Sequence, residues 1–462
     1  MFKNFFKLFM LFSACISLNL FASDKKAQTD DQFLEMVSRA CFKFFWNESA
    51  PGTCLTLDNS KRKNVYSIAA TGFGFSAMVI GAERAYKPRK EIELRVYKTL
   101  KMLNSSTRKD GMLFHYLNSK AEPSLEGYEN VASTIDTGLL LMGVITAGEY
   151  FGGKIKIEAE KLYAAINWQT FIEKRRRLIK MAWQPSDKKA LKGKGFFHGA
   201  TWDYYTDESI IVTLLAISAP NKDHRVPGDF FYRWQRNSGE YKPETKGLKA
   251  AGSYVYSWTG ALFTYQFAHL WIDFKQLGKD NPAKFGLKNV PAIDWHQNTL
   301  NATIACRQFS IDRKKQFKTF GFNSWGLTAS AAKCGYYVGG FAPRGDQAAP
   351  KLDGTIAPYG AATAIMALPK ESIAAMRYFY SLKDKKGKRL VWNESDIKPY
   401  GFYDSFNLDD PYVAKEYLGI DQGPMLLAIE NHRSKLLIKY FMKNKHIQQG
   451  LKVIGFSGAA SK

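Results

Sequence analysis

The sequence predicts an all-α protein whose helices, paired by turns, form a helical toroid with short β hairpins and long Gly- and aromatic-rich loops. Three observations carry this reading. Apolar residues recur at helical spacing in segment after segment along the chain. Strand patterns are few and short. No fixed-length repeat runs through the sequence, so the helices are not those of a regular solenoid.

The elements follow in order. Residues 24–31 are polar and read as a loose leader. Phe33, Leu34, Val37, Ala40, Cys41, Phe44 and Phe45 give a first amphipathic helix that stops at Ala50-Pro51-Gly52. From Tyr66 to Glu83 small residues predominate, which suits a helix whose neighbours approach closely. Lys87-Pro88 ends it, and a polar-faced helix follows over 89–104. Residues 110–116 read as a turn and a short strand. Ser133 and Asp136 fit a capping box opening a mostly apolar helix to Phe151. Asp136 is therefore as readily a cap as a substrate-facing group. A helix over 156–176 would carry Lys174, Arg175, Arg176 and Arg177 as a solvated outer face.

The stretch from Thr201 to Ser209 contains Trp202, Tyr204 and Tyr205, then Asp207 and Glu208, and runs into an apolar segment ending near Ile217. It predicts two carboxyls at the mouth of a buried helix. A helix N-terminus lowers a carboxyl pKa. Desolvation by aromatic neighbours and like-charge repulsion raise it. That conflict keeps one carboxyl protonated near neutral pH, as a general acid requires. The simpler reading is that both acids complement the helix dipole. Further on, His269 and Asp273 stand four apart and would share a helix face, most simply as an ion pair. Helices over 293–311, 357–367, 371–382 and 423–435 complete the count, separated by long loops at 319–360 and 391–412.

Composition bounds the function. The chain has 462 residues, 45% hydrophobic and 15% aromatic, enough for a large core with flat faces to spare for sugar rings, bases or other apolar surfaces. Lys3 and Lys7 flank and interrupt an apolar run to Leu20, which reads as an export signal cleaved near Leu20-Phe21-Ala22-Ser23. A lipoprotein signal at Cys15 is the lesser alternative. Loss of residues 1–23 leaves a net charge of +22 from the full chain's +24. Export argues against nucleic acid as the partner, so the charge is expected to favour anionic envelope surfaces or acidic polymers. The expected location is periplasmic or secreted, and the expected state a monomer. Four cysteines remain, and an oxidising compartment permits disulfides such as Cys41 with Cys54 and Cys306 with Cys334. No metal-ligand spacing and no cofactor motif stand out.

Seven ordered strings carry a resemblance. STIDTGLLLMGVITAGEYF (133–151), WDYYTDESIIVTLLAISAP (202–220), YSWTGALFTYQFAHLWIDF (256–274), FGFNSWGLTAS (320–330), DGTIAPYGAA (353–362), GFYDSFN (401–407) and YLGIDQGPMLLAIENHR (417–433) resemble the glucoamylase-like domain family that includes bacterial endo-β-1,2-glucanases. The resemblance implies an (α/α)6 barrel, one catalytic domain over 32–440 with a tail over 441–462, and hydrolysis of a β-glucan. It places the general acid on Glu208, the base side on Asp404, and further polar site residues on Asp136 and Asp207. Trp202, Tyr204, Tyr205, Trp258, Trp325, Tyr359 and Tyr403 would offer stacking faces, although an aromatic taken alone is more often core. Arg307, Gln308 and Asp421 are candidate hydroxyl partners, with Asp421 first of all a helix-start residue. The sequence departs from the family at Thr206, where an aromatic is usual, and at Ala332-Lys333-Cys334-Gly335. Two carboxyls flanking a glycosidic bond are the ordinary equipment for its hydrolysis, and the family analogy favours inversion. A non-catalytic glycan-binding protein, a transglycosylase and a lyase acting on acidic polysaccharide are the alternatives.

Overall fold

The computed structural model describes residues 28–124, 130–187, 194–346 and 352–459. The expected export segment, with Cys15, lies outside the described residues. Contacts divide the chain into a unit of Met1–Met36, described from residue 28, and a unit of Val37–Lys462. The site lies in the second unit.

Among the described residues there are thirteen α-helices. They are α1 (Asp30–Asn47), α2 (Ile68–Glu83), α3 (Arg89–Ser105), α4 (Thr134–Phe151), α5 (Gly153–Ala164), α6 (Asp207–Ile217), α7 (Phe274–Leu277), α8 (Trp295–Asp312), α9 (Pro358–Thr363), α10 (Pro369–Ser381), α11 (Gly419–Ser434), α12 (Leu436–Phe441) and α13 (Lys445–Ile454). The strands are short and form seven small antiparallel sheets among the described residues, none with more than three strands.

Five helices, α2, α4, α6, α9 and α11, are buried along most of their length; the first four are apolar or small on almost every face, whereas α11 also buries Asp421, Gln422, Glu430 and Asn431. In this set α2 packs on α4 and α11, α4 on α6, and α9 on α11. Amphipathic helices cover them: α3 lies on α2 and α5, α5 on α4, α10 on α9 and α13 on α6. The α2–α4 contact is close enough that a Cβ placed on Gly143 would fall 1.8 Å from the Gly72 carbonyl oxygen. Glycine at both positions lets the two backbones meet.

Several expectations need correction. The basic run is not on a helix: α5 ends at Ala164, and residues 174–177 form the turn between strands Ile172–Glu173 and Leu178–Ile179. There Arg177 pairs with Asp229 at 2.6 Å. The expected tail contains α13, whose Ile447, Leu451 and Ile454 are buried. His269 and Asp273 do not pair. The chain there is broken into 3-10 turns, His269 Nε2 lies 2.7 Å from the Thr299 hydroxyl, and Asp273 caps α7 and meets Lys435 at 3.2 Å. The four described cysteines are free thiols, Cys41, Cys54 and Cys306 buried and Cys334 exposed. Cys54 Sγ lies 3.4 Å from the Thr99 hydroxyl, and burial pushes its thiol up to about 12. No helix among the described residues is long and apolar enough to cross a membrane.

Candidate active site

The five buried helices direct their N-terminal ends to one cavity of about 620 Å³. Ser67, the N-cap of α2, lines it, as do Asp136 in the first turn of α4 and Glu208 in that of α6. Tyr359 at the start of α9 and Leu418 and Asp421 at the start of α11 complete this wall. Unpaired N–H groups and aligned peptide dipoles make such a convergence hospitable to negative charge. Local capping fixes each start. The Ser67 hydroxyl accepts from Ala70 N–H at 3.2 Å, Ser133 from Asp136 N–H at 3.2 Å, and Thr206 from Ser209 N–H at 3.1 Å. Thr206, unusual for the resembled family, is thus the cap that sets Glu208 in place.

A second cavity of about 490 Å³ has an aromatic wall of Trp202, Tyr204 and Trp258, with Arg176 at its edge. Tyr204 and Trp258 meet edge to face with ring centroids 4.7 Å apart, and Trp202 Nε1 donates to the Thr134 hydroxyl at 3.0 Å. Glu208 and Phe263 line both cavities. Glu208 therefore stands where the charged chamber and the aromatic one meet.

The carboxyls differ in state. Burial, reinforced by the charge of Asp136, pushes Glu208 up to about 8, so it is protonated at neutral pH. Burial alone would raise Asp136 as well. His115, whose Nδ1 lies 3.8 Å from the carboxyl, and a hydrogen bond from the Ser133 hydroxyl outweigh it and leave Asp136 below the usual carboxylate range. Asp404 and Asp421 are both buried and interact with each other, and burial raises both. Asp404 Oδ2 also accepts from Ala331 N–H at 2.6 Å. Asp404 Oδ1 and Asp421 Oδ2 are buried with no hydrogen-bond donor among the described residues, so a proton held between the two carboxyls would satisfy both.

Other expected residues scatter. Asp207 points into the core, accepting from Ala268 N–H at 2.9 Å and from the Tyr205 hydroxyl at 3.1 Å, and lines neither cavity. Tyr205 is fully buried and stacks on Trp295. Trp325 is likewise buried. Tyr403 packs against Tyr417, Arg307 donates to the Phe322 carbonyl at 3.2 Å, and Gln308 to the Lys249 carbonyl at 2.7 Å; none of the three lines either cavity. Tyr359 lines the larger cavity with its hydroxyl donated to the Ala329 carbonyl at 2.8 Å. Sequence reasoning missed Asn59, Lys61, Glu416, Tyr116, Phe263, Phe267 and Tyr336 as cavity residues. Lys61 and Glu416 pair at 2.8 Å across a separation of 355 residues, which no local pattern announces. Phe263 and Phe267, four apart in an aromatic segment, carried a signal that was open to reading. Among the described residues no group of three or more His, Cys, Asp or Glu side chains could hold a metal ion.

Fold and site together define a mostly helical protein with a carboxyl-lined, aromatic-walled cleft at its helix N-termini. The chain belongs to the Glycoamylase family, described as "Putative glucoamylase", whose model matches residues 200–445. It is 25% identical over 454 residues to an exo β-1,2-glucooligosaccharide sophorohydrolase of Parabacteroides distasonis. That alignment takes in 92% of this chain but 58% of the relative, so the chain spans less than two thirds of that protein's length. An endo-β-1,2-glucanase from Chitinophaga pinensis, solved with sophorotriose and glucose, superposes with a TM-score of 0.75 at 25% identity, covering 93% of this chain and 99% of that one. A "putative glucoamylase" from Bacteroides uniformis superposes with a TM-score of 0.76 at 26% identity, covering 94% and 99%.

Proposed function

We propose that the chain is a glycoside hydrolase that cleaves β-1,2-glucan, with Glu208 as general acid and Asp404 on the base side of an inverting mechanism. The observation that carries this reading is the position and state of Glu208. It lines both cavities, and burial keeps it protonated where a leaving-group oxygen needs a proton. Asp404 itself lines neither cavity but interacts with Asp421, which lines the larger one, and we take this pair, with Asp404 held by the Ala331 N–H, as the second carboxyl that hydrolysis needs. The charge of Asp136 adds to the burial that keeps Glu208 protonated.

Space on both sides of Glu208, about 620 Å³ and about 490 Å³, supports endo action, since sugars can occupy both sides of the bond. Trp202, Tyr204 and Trp258 are the stacking faces of one side, and Tyr359 with Asp421 belongs to the other. The substrate assignment is supported by the names of the sophorohydrolase and endo-glucanase relatives. To the same reading belong the (α/α)6 arrangement, supported by the five buried helices and their outer partners, and export through residues 1–23 to a periplasmic or secreted location. A monomeric state and peripheral association with anionic surfaces, suggested by the basic net charge, complete it.

The test is incubation of the protein with linear β-1,2-glucan beside a Glu208→Gln variant, with products separated by chromatography. Short gluco-oligosaccharides from the wild type and none from the variant are expected. No products from either would remove the glucanase assignment.

A further inference from the structure

The hairpin of Ala329–Ala332 and Gly335–Val338 joins two parts of the cleft that the proposed mechanism treats separately. Its strands pair Ala331 with Tyr336 and Ala332 with Gly335, around a turn at Lys333 and Cys334 where Gly335 has φ +105°. On one strand, Ala331 N–H donates to Asp404 Oδ2 at 2.6 Å, and the Ala331 carbonyl accepts from the Ser405 hydroxyl. On the other, the Tyr336 side chain lines the larger cavity while 74% exposed. Among the described residues no hydrogen bond or ring contact holds that side chain.

An unheld tyrosine on the wall of a carboxyl-lined cleft offers a free ring face on which a sugar can stack. Tyr336 lines the same cavity as Asp421 and Glu208, so its ring faces the space in which both carboxyls act. A sugar ring lying between those carboxyls would meet the Tyr336 ring. Tyr336 and Ala331 are directly opposite each other on the paired strands, so a contact at Tyr336 lies one residue pair from the hydrogen bond to Asp404.

Resting on the glucanase reading, we infer that Tyr336 clamps the glucosyl unit at the reacting position, and that the hairpin transmits this contact through Ala331 to orient Asp404. Tyr336 is thus both a substrate-contacting and a positioning residue. Substrate that reaches it sets the base, whereas a ligand too short to touch it leaves Asp404 held only by its resting hydrogen bonds.

Kinetics on linear β-1,2-glucan test this with Tyr336→Ala and Tyr336→Phe, folding being checked by circular dichroism. Tyr336→Ala is expected to lower kcat/KM by about 100-fold, with kcat falling as well as KM rising, because misplacement of a reacting group by about an ångström costs that much. Tyr336→Phe, which keeps the ring, is expected to restore kcat/KM to within about threefold of wild type. If wild type cleaves the glucan and Tyr336→Ala matches it, the inference is overturned while the glucanase reading stands. If Tyr336→Ala raises KM alone, the coupling to Asp404 is overturned. A wild type that cleaves no β-1,2-glucan removes the glucanase reading and this inference with it.

Discussion

The carboxyls of Asp404 and Asp421 are buried against each other, and burial with mutual repulsion favours a proton on one of them, Asp421, which can then donate to Asp404. Asp421 is fixed by the start of α11 and Asp404 by the Ala331 N–H, so neither can turn away. Asp421 as donor lowers the Asp404 pKa against the burial that raises it. An Asp421→Asn substitution removes no charge from a protonated Asp421 and replaces its O–H donor with a weaker N–H donor, so Asp404 loses part of what lowers it. The acid limb of the kcat/KM profile should move to higher pH, with kcat within about tenfold of wild type. Asp404→Asn, by contrast, should reduce kcat by about 100-fold or more, the usual yield of a positioned proton-transfer group. Glu416 and Lys61 also act on Asp404, so the profiles are best compared at constant ionic strength.

Asp136 controls the other side of the reaction. Its charge is the second cause, after burial, that raises Glu208. Removing that charge in Asp136→Asn lowers the Glu208 pKa, so the acid loses its proton earlier as pH rises. The basic limb of kcat/KM should move down in pH, and a pH–rate profile of the variant reads the shift directly. An unmoved basic limb would separate Asp136 from Glu208.

Asp207 makes a stability prediction with a definite sign. Burial, only partly offset by the Ala268 N–H and the Tyr205 hydroxyl, raises it to about 8. An acid raised in this way binds more protons folded than unfolded. Its contribution is therefore fully present below the unfolded pKa, near 4, and is lost as pH rises toward 8. The slope is at most about 1.4 kcal/mol per pH unit for one group. Asp207→Asn deletes that slope, so urea midpoints should show the variant gaining on wild type between about pH 5 and about pH 8.

Gly143→Ala tests the α2–α4 contact. The added Cβ would lie 1.8 Å from the Gly72 carbonyl oxygen, so the helices must separate. The expected cost is about 1–3 kcal/mol or more, the range for overpacking a tight core. Thermal unfolding of the variant checks it, and an unchanged midpoint would mean the helices do not meet there.

Much of this was legible in the sequence because helix position is a local property. The apolar runs of α4 and α6 begin where Ser133 and Thr206 cap them, and the two acids after Thr206 stood out among aromatics. Which acid faces the cleft was not legible. Successive residues on a helix point about 100° apart, and only packing of the Ala268 backbone decided that Asp207 turns inward and Glu208 outward. Trp258 and Trp325 show the same limit, since both stand in Gly- and aromatic-rich segments yet one is 45% exposed and the other fully buried. Lys61 and Glu416 come from loops far apart in the chain, and their meeting is a product of the tertiary fold alone.

The central claim is that Glu208 donates a proton to a β-1,2-glucosidic bond while water, activated on the Asp404 side, attacks the opposite face. The most direct measurement is proton NMR of the anomeric region during the first minutes of hydrolysis of linear β-1,2-glucan. Inversion gives the α-anomer of the newly formed reducing end first, with the β-anomer growing in by mutarotation. Initial release of the β-anomer, or no hydrolysis at all, would contradict the account.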